Sequence, residues 1–153
     1  MSSTKAEYAR QLFLKGANCA QAVAGAFANE VKMDEVQLFK LASGFGGGVG
    51  RMREVCGAVS GMVLIMNMLY GNDDITDKNA KDAHYERVQK LIKRFEAETG
   101  SIICRTLLAL ESTEKIVPTS EARTQEYYQK RPCADLVALA ASILETELSN
   151  FSK

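Results

Sequence analysis

A glycine-rich segment constrains the fold of this chain more than any other feature. Five of the seven residues from Gly44 to Gly50 are glycine, and so dense a run disfavours regular structure. The segment does not fit the dinucleotide or P-loop patterns, and no strand precedes it, so nucleotide binding is a weak interpretation. We expect a loop over residues 44–55 whose backbone closely approaches a bulky centre or a neighbouring segment.

Helical patterns lie on both sides of this loop. The Thr4-x-x-Glu7 capping box begins a first helix, which Gly16 ends. Apolar residues at helical spacing, with cap and turn residues between them, predict the others. These are Cys19–Val31, Asp34–Leu41, Cys56–Tyr70, Thr76–Thr99, Ser101–Leu110, Ser120–Lys130 and a last helix that begins at Pro132, with a loop at Ser112–Thr119.

The pattern predicts the fold class directly. No alternating strand, internal repeat or linker is visible in the 153 residues. A chain of this length suits one domain, and its core does not need disulfides. We therefore predict one compact all-α domain of seven or eight helices over residues 1–153.

The four cysteines are isolated in sequence but share a predicted position. None forms a CxxC pair, so the familiar zinc-finger, thioredoxin, ferredoxin and c-type haem patterns are absent. Each falls in the first turn of a predicted helix: Cys19 after Asn18, Cys56 after the glycine loop, Cys104 after Ser101 and Cys133 after Pro132.

This placement favours a shared redox or metal site. A helix N-terminus carries partial positive charge and free N–H groups, which favour the thiolate that acts as nucleophile or metal ligand. Inert core cysteines are the structural alternative, because free cysteine often behaves as a small hydrophobe. The predicted redox or metal set is Cys19, Cys56, Cys104 and Cys133, and the predicted cofactor contacts are Gly46, Gly47, Gly48, Arg51, Gly57 and Gly61, with Arg53 adding positive charge.

The remaining candidates favour structural roles. His84 is the only histidine, and we expect it to be a solvated helix residue rather than a ligand. Met62, Met66 and Met68 suit core positions. Gly57 and Gly61 lie one turn apart, as in tightly packed helices, and the pair Tyr127–Tyr128 is expected at the surface.

Composition limits the function classes. Nineteen basic and nineteen acidic residues cancel, so the chain lacks the basic field expected for nucleic-acid or anionic-membrane binding. Charges near the N-terminus exclude a signal peptide, and the most apolar stretch, Met62–Tyr70, is too short for a membrane span. We expect a cytoplasmic protein without permanent disulfides.

The order of these motifs resembles the C_GCAxxG_C_C family, whose members are described as redox-active. The matching blocks are Gly16–Val23, Phe45–Arg51, the Cys-Gly-Ala-x-x-Gly motif at Cys56–Gly61, and the single cysteines Cys104 and Cys133. The family is similar to the cysteine-bearing domain of split-Soret cytochromes c, which implies an iron–sulfur cluster. The chain lacks CxxCH, so haem is not implied.

Four hypotheses stay open. The first is an iron–sulfur protein for electron transfer or redox sensing, with a 2Fe–2S cluster on four thiolates. The second is a metal-free thiol–disulfide protein, the third a structural zinc site, and the fourth an inert helical partner-binding protein. The sequence does not identify a redox partner protein or a reaction, and its Ala-rich second helix is compatible with a homo-oligomer.

Overall fold

The computed structural model describes residues 4–110 and 115–151, and these residues fold as helices joined by loops. Within them lie nine α-helices, a 3-10 turn at Ser43–Phe45 and no β-strand, which confirms the predicted all-α class. None of the described helices is both long and apolar enough to cross a membrane. The helices are α1 (Lys5–Leu14), α2 (Cys19–Gly25), α3 (Ala28–Val31), α4 (Glu35–Ala42), α5 (Gly57–Tyr70), α6 (Lys78–Thr99), α7 (Cys104–Leu107), α8 (Gln125–Lys130) and α9 (Cys133–Phe151).

The core lies between six of these helices. The helix α1 runs along α9, α2 packs on α4 and α5, and α5 also contacts α6 and α9. Their shared interior is apolar, and burying each large side chain contributes about 1.5–3 kcal/mol. Its largest fully buried members are Phe13, Phe27, Leu38, Met62, Ile65, Met66, Leu91, Phe95, Ile143 and Leu144.

Two glycines let α2 and α5 approach each other closely. A Cβ atom on Gly61 would lie 2.9 Å from the Cβ of Val23 and 3.0 Å from the carbonyl oxygen of Ala20. A Cβ atom on Gly57 would lie 3.1 Å from the Cβ of Cys19. This tight packing, which the glycine spacing predicts, brings the starts of the two helices together.

The second predicted helix is interrupted. The prediction of Cys19–Val31 is wrong in extent, because Ala26 and Phe27 form a turn between α2 and α3. Gly25 ends α2, and the Phe27 ring is buried in the core at this bend. The start of α2 is confirmed, since Asn18 and Gln21 form a reciprocal capping box.

The predicted helix Ser101–Leu110 is shortened to α7. Ser101 does not cap it; its hydroxyl accepts from the Ile103 N–H at 3.0 Å. Residues 102–104 pair with residues 54–56, so the chain becomes helical only at Cys104. Extended pairing of these backbone groups takes the place of the first helical turn.

The polar helix predicted at Ser120–Lys130 is also shortened. It begins at Gln125, where the Thr124 hydroxyl accepts from the Tyr127 N–H at 3.1 Å. Residues 120–124 are not helical, because Glu121 and Arg123 point into tertiary contacts. Of the loop predicted at Ser112–Thr119, residues 112–114 lie outside the described part of the chain, and residues 115–119 are non-helical as expected.

Candidate functional site

The four cysteines line one cavity of about 440 Å³. Cys19, Cys104 and Cys133 are the first residues of α2, α7 and α9, and Cys56 immediately precedes α5. The prediction that all four lie at helix starts is therefore confirmed. Helices separated in sequence bring their first turns to a common space.

An antiparallel pairing brings Cys56 and Cys104 to the cavity. The N–H of Cys56 donates to the carbonyl of Ile102 at 2.7 Å. The N–H of Cys104 donates to the carbonyl of Glu54 at 2.6 Å. These two bonds flank the bridge between residues 55 and 103, so the two cysteines are held by backbone geometry rather than by side-chain packing alone.

The glycine loop turns with an unusual handedness before it reaches Cys56. Its residues 47–51 all have positive φ angles, with φ 66° at Val49 and φ 64° at Arg51. A non-glycine residue in this region costs about 1–2 kcal/mol, and a β-branched residue is rare there. Hydrogen bonds offset this strain, including Gly50 N–H to Gly44 O at 2.8 Å.

The same loop brings its backbone against the cysteines. A Cβ atom on Gly48 would lie 2.7 Å from the Cβ of Cys104. A Cβ atom on Gly46 would collide with the side chain of Asn18, the cap that precedes Cys19. The close backbone approach inferred from the sequence is present at both positions.

The predicted cofactor contacts do not all reach the cavity. Gly46, Gly47, Gly48, Arg51 and Gly57 line it together with the cysteines. Gly61 lies instead in the interface between α2 and α5, against Val23 and Ala20. Gly61 allows α2 and α5 to approach each other one helical turn away from the cavity, which Gly57 lines.

Four arginines surround the thiols. The cavity wall includes Arg51, Arg53, Arg123 and Arg131, and Glu121 is the one carboxylate among the described lining residues. The guanidinium of Arg53 donates to the Cys104 sulfur at 3.6 Å. The positive charge predicted from Arg51 and Arg53 is therefore present, and it is doubled by two arginines from near α8.

Glu121 is held by three of these arginines. Its Oε1 atom forms an ion pair with Arg131 and lies 3.7 Å from Arg51 and 4.0 Å from Arg53. Arg51 also donates to the carbonyls of Val117, at 2.8 Å, and Thr119. These contacts fix residues 117–121, named here the strap, beside the cavity.

Arg123 and Tyr127 close another side of the cavity. Arg123 donates to the carbonyl of Phe13, in the last turn of α1, at 2.9 Å, and to that of Ala17, just after α1, at 3.1 Å. Its guanidinium lies 4.2 Å from the Phe13 ring centroid and 5.1 Å from that of Tyr127. Tyr127 was expected at the surface, but it is half-buried here, and burial raises its pKa to about 12.

Cys19 and Cys133 form a hydrogen-bonded pair with opposite pKa shifts. The Cys19 thiol donates to the Cys133 sulfur, which raises the pKa of Cys19 and lowers the pKa of Cys133. Burial raises the pKa of Cys19 further, whereas at Cys133 burial is opposed by Arg131 and the other cavity arginines. Cys133 is therefore the member of the pair that loses its proton more readily.

The other two thiols are favoured in the protonated form. Burial raises the pKa of Cys56 to about 11, although the backbone N–H groups of Ala58 and Val59 oppose it. Burial also raises the pKa of Cys104, against the effect of Arg53. The expectation that every helix start favours a thiolate is wrong for Cys56 and Cys104, where desolvation of the charged form raises the pKa most. It is also wrong for Cys19, whose pKa is raised first by the hydrogen bond to Cys133 and then by burial.

The cysteines do not surround a point the size of one ion. Within residues 4–110 and 115–151, no three histidine, cysteine or acidic side chains lie close enough together to hold a metal ion. The thiols are spread over the wall of a larger cavity. A metal centre bound by all four sulfurs must therefore be larger than one ion, or the cysteines must move closer together when it binds.

His84 does not occupy the solvated position predicted for it. Its side chain is 6 % exposed, and Nε2 lies 2.6 Å from the Asn67 Oδ1 on α5. Burial, together with Arg87, lowers its pKa. His84 lies outside the cysteine cavity and supports the contact between α5 and α6.

The sequence interpretation did not identify several residues of this site. Glu121, Arg123 and Tyr127 fall in the polar helix predicted at Ser120–Lys130, and Arg131 follows it, yet all four line the cavity. One local signal was available: Arg131 lies two positions before Cys133, much as Arg53 lies three positions before Cys56. Both arginines flank a cysteine at a helix start.

Comparison with known proteins gives one match. Neither the curated proteins nor the solved structures returned a significant match. The family model described as "Putative redox-active protein (C_GCAxxG_C_C)" matches residues 17–147, which include all four cysteines and the glycine loop. Since this match covers most of the sequence, the chain belongs to the C_GCAxxG_C_C family, as its motifs predict.

Proposed function

We propose that the four cysteines form one redox site, which binds an iron–sulfur cluster for electron transfer or redox sensing. The observation that carries this proposal is the convergence of all four thiols on a single cavity of about 440 Å³ whose wall contains four arginines. Cysteine-only ligation suits a 2Fe–2S centre, in which two thiolates bind each iron. The family description as redox-active is consistent with this chemistry.

The donor set fits a cluster better than a single zinc ion. A structural zinc site needs four sulfurs around one ion at about 2.3 Å. The described residues bring no three such ligands together. A cluster divides its ligands between iron atoms, so it does not require that geometry.

The protein groups around the cavity suit a negatively charged centre. The four thiolates together with the inorganic sulfides of a 2Fe–2S centre would carry more negative charge than the two irons neutralise, and buried charge needs compensation. Arg53 donates to the Cys104 sulfur, and the N–H groups of Ala58 and Val59 favour a thiolate at Cys56. Hydrogen bonds to ligating sulfur raise a reduction potential. A bound cluster would supply one-electron transfer, and these groups would stabilise its reduced form.

The pair Cys19 and Cys133 supports a second candidate function, metal-free thiol–disulfide exchange. The Cys133 thiolate would attack a substrate disulfide, forming a mixed disulfide and releasing one thiolate of the substrate. Cys19, on losing its proton to solvent, would then attack the Cys133 sulfur and release the second thiolate. The two cysteines would be oxidised to a disulfide, and the substrate disulfide would be reduced to two thiols.

Four single substitutions separate these functions. Each cysteine is changed to serine, and each variant is reconstituted with iron and sulfide without oxygen. The cluster proposal predicts that all four variants lose most of the bound iron and sulfide relative to the wild type. Wild-type protein that binds neither would contradict it.

The same variants test the thiol–disulfide candidate. Incubation with a small disulfide, followed by mass analysis, would then give an internal disulfide in the wild type, Cys56→Ser and Cys104→Ser. Cys19→Ser and Cys133→Ser would not form it. A requirement for all four cysteines would argue against a dithiol mechanism.

A further inference from the structure

Three of the cavity arginines are arranged around the carboxylate of Glu121 rather than around the thiols alone. Arg51, Arg53 and Arg131 all face the same oxygen of Glu121. Their side chains are only 19 %, 11 % and 14 % exposed, whereas Glu121 is 43 % exposed. The cations are thus fixed in the wall, and the anion they hold lies at its more open edge.

Three arginines face this one carboxylate oxygen. A second cavity of about 170 Å³ shares Arg51, Arg53 and Glu121 with the cysteine cavity. Glu121 is again the one carboxylate among the described lining residues. A single carboxylate therefore faces at least three guanidinium groups, and part of their capacity for charge-assisted hydrogen bonds is left for another anion.

Glu121 can leave without moving the rest of the strap. Arg51 donates to the carbonyls of Val117 and Thr119, so the backbone of the strap is anchored independently of the carboxylate. Arg123 anchors the chain on the other side of Glu121 through Phe13 and Ala17. Rotation of one half-exposed side chain would open the arginine cluster.

We propose that Arg51, Arg53 and Arg131 form a binding subsite for a small carboxylate- or oxyanion-bearing substrate, and that Glu121 is its displaceable internal occupant. Arg53 also donates to Cys104, and Arg131 lies close to Cys133 in the chain. An anion bound here would therefore hold its parent molecule at the thiol cavity. The substrate role of this subsite rests on the proposed redox function, but the anion binding itself does not.

The test uses inorganic phosphate as the probe and the reduced, metal-free chain. Nuclear magnetic resonance of arginine side-chain N–H groups follows the titration in wild type, Glu121→Gln and Arg131→Gln. The matched control is Glu126→Gln, which removes an exposed carboxylate that pairs with Lys130. Neither residue of that pair lines either cavity.

If the subsite exists, Glu121→Gln and Arg131→Gln should change the affinity for phosphate in opposite directions. Glu121→Gln should bind phosphate about tenfold more tightly than wild type, and Arg131→Gln about tenfold more weakly, on the scale of a charge-assisted contact. Glu126→Gln should stay within about twofold of wild type. Equal affinities in wild type, Glu121→Gln and Arg131→Gln would overturn the proposal, since the arginines would then serve only to balance the charge of the site.

A pair of alkylating reagents tests whether the subsite serves the cysteines. Iodoacetate and iodoacetamide carry the same reactive group, but only iodoacetate is an anion. The rate of cysteine alkylation by iodoacetate, divided by the rate with iodoacetamide, should rise in Glu121→Gln and fall in Arg131→Gln. An unchanged ratio would place the bound anion away from the thiols and overturn the substrate role. A protein that binds no cluster would still give the predicted phosphate affinities and alkylation ratios, so failure of the cluster proposal is distinguishable from failure of the subsite.

Discussion

The contact between α2 and α5 predicts a stability change whose sign tests the packing directly. At Gly61, an added Cβ atom would meet the Cβ of Val23 at 2.9 Å and the carbonyl oxygen of Ala20 at 3.0 Å. Neither atom is the end of a flexible side chain. The substitution Gly61→Ala therefore requires the two helices to move apart by several tenths of an ångström.

The magnitude follows from two opposed effects. Overpacking a well-packed contact costs about 1–3 kcal/mol, whereas replacing glycine by alanine inside a helix gains about 1 kcal/mol from propensity. We expect Gly61→Ala to lower the free energy of unfolding by up to about 2 kcal/mol. Gly44→Ala is the matched control, because no heavy atom lies within 4 Å of its added Cβ, and it should change stability by less than about 0.5 kcal/mol.

The assay is urea unfolding of the reduced protein, followed by far-ultraviolet circular dichroism. Midpoint and slope are compared for the wild type, Gly61→Ala and Gly44→Ala, so that a stability change is separated from a change in the exposed surface. An increase in stability of about 1 kcal/mol in Gly61→Ala, the value that propensity alone gives, would refute the close approach of the helices.

Two further predictions follow from shifted pKa values. Burial lowers the pKa of His84, so the unfolded chain binds the proton more readily, and stability should decrease as the pH falls below the unfolded value of about 6.5. His84→Gln should weaken this decrease, measured as urea midpoints at several pH values; an unchanged pH dependence would contradict it. Iodoacetamide should modify Cys133 at lower pH than Cys56, whose pKa is about 11. Cys19→Ala should shift the pH at which Cys133 is modified to a higher value, because the hydrogen bond donated by Cys19 is lost. Peptide mass analysis across pH measures this, and a Cys133 modification profile identical to that of the wild type would contradict the hydrogen bond.

Local signals predicted the starts of two helices that carry the site, α2 and α9, and the end of α6. Asn18 caps α2, Pro132 precedes α9, and Gly100 ends α6 with φ 91°. Each signal depends on residues within one turn of the helix end, so the sequence contains the information needed. The positions of Cys19 and Cys133 could be predicted because they follow these signals in the chain, whereas Cys104 begins α7 only after the extended pairing of residues 102–104.

The cationic wall depends on contacts between distant segments. Arg123 reaches the carbonyl of Phe13 across 110 positions, and Arg51 reaches that of Thr119 across 68. No periodicity in the sequence indicates these pairs. Considered alone, residues 120–130 have only the pattern of a polar helix, so the place of Glu121 and Arg123 in the cavity wall emerges only from the packing.

Burial and side-chain pairing account for the other differences between the sequence predictions and the structure. The charge-rich sequence around His84 predicts a solvated side chain, but α6 places it against Asn67. The thiol pKa values depend on desolvation and on the pairing of Cys19 with Cys133, neither of which a helix start determines. The sequence therefore predicted that the four cysteines lie at helix starts, but it did not indicate which thiol loses its proton most readily.

The most direct test of the central proposal is the composition of the site after purification without oxygen. An absorbance spectrum is recorded together with iron, zinc and acid-labile sulfide assays on the same wild-type sample. A 2Fe–2S centre on four thiolates predicts about two irons and two sulfides per chain with broad visible absorption. Protein that contains neither iron nor sulfide, and takes up neither on reconstitution, would contradict the cluster and leave the Cys19–Cys133 dithiol as the redox group.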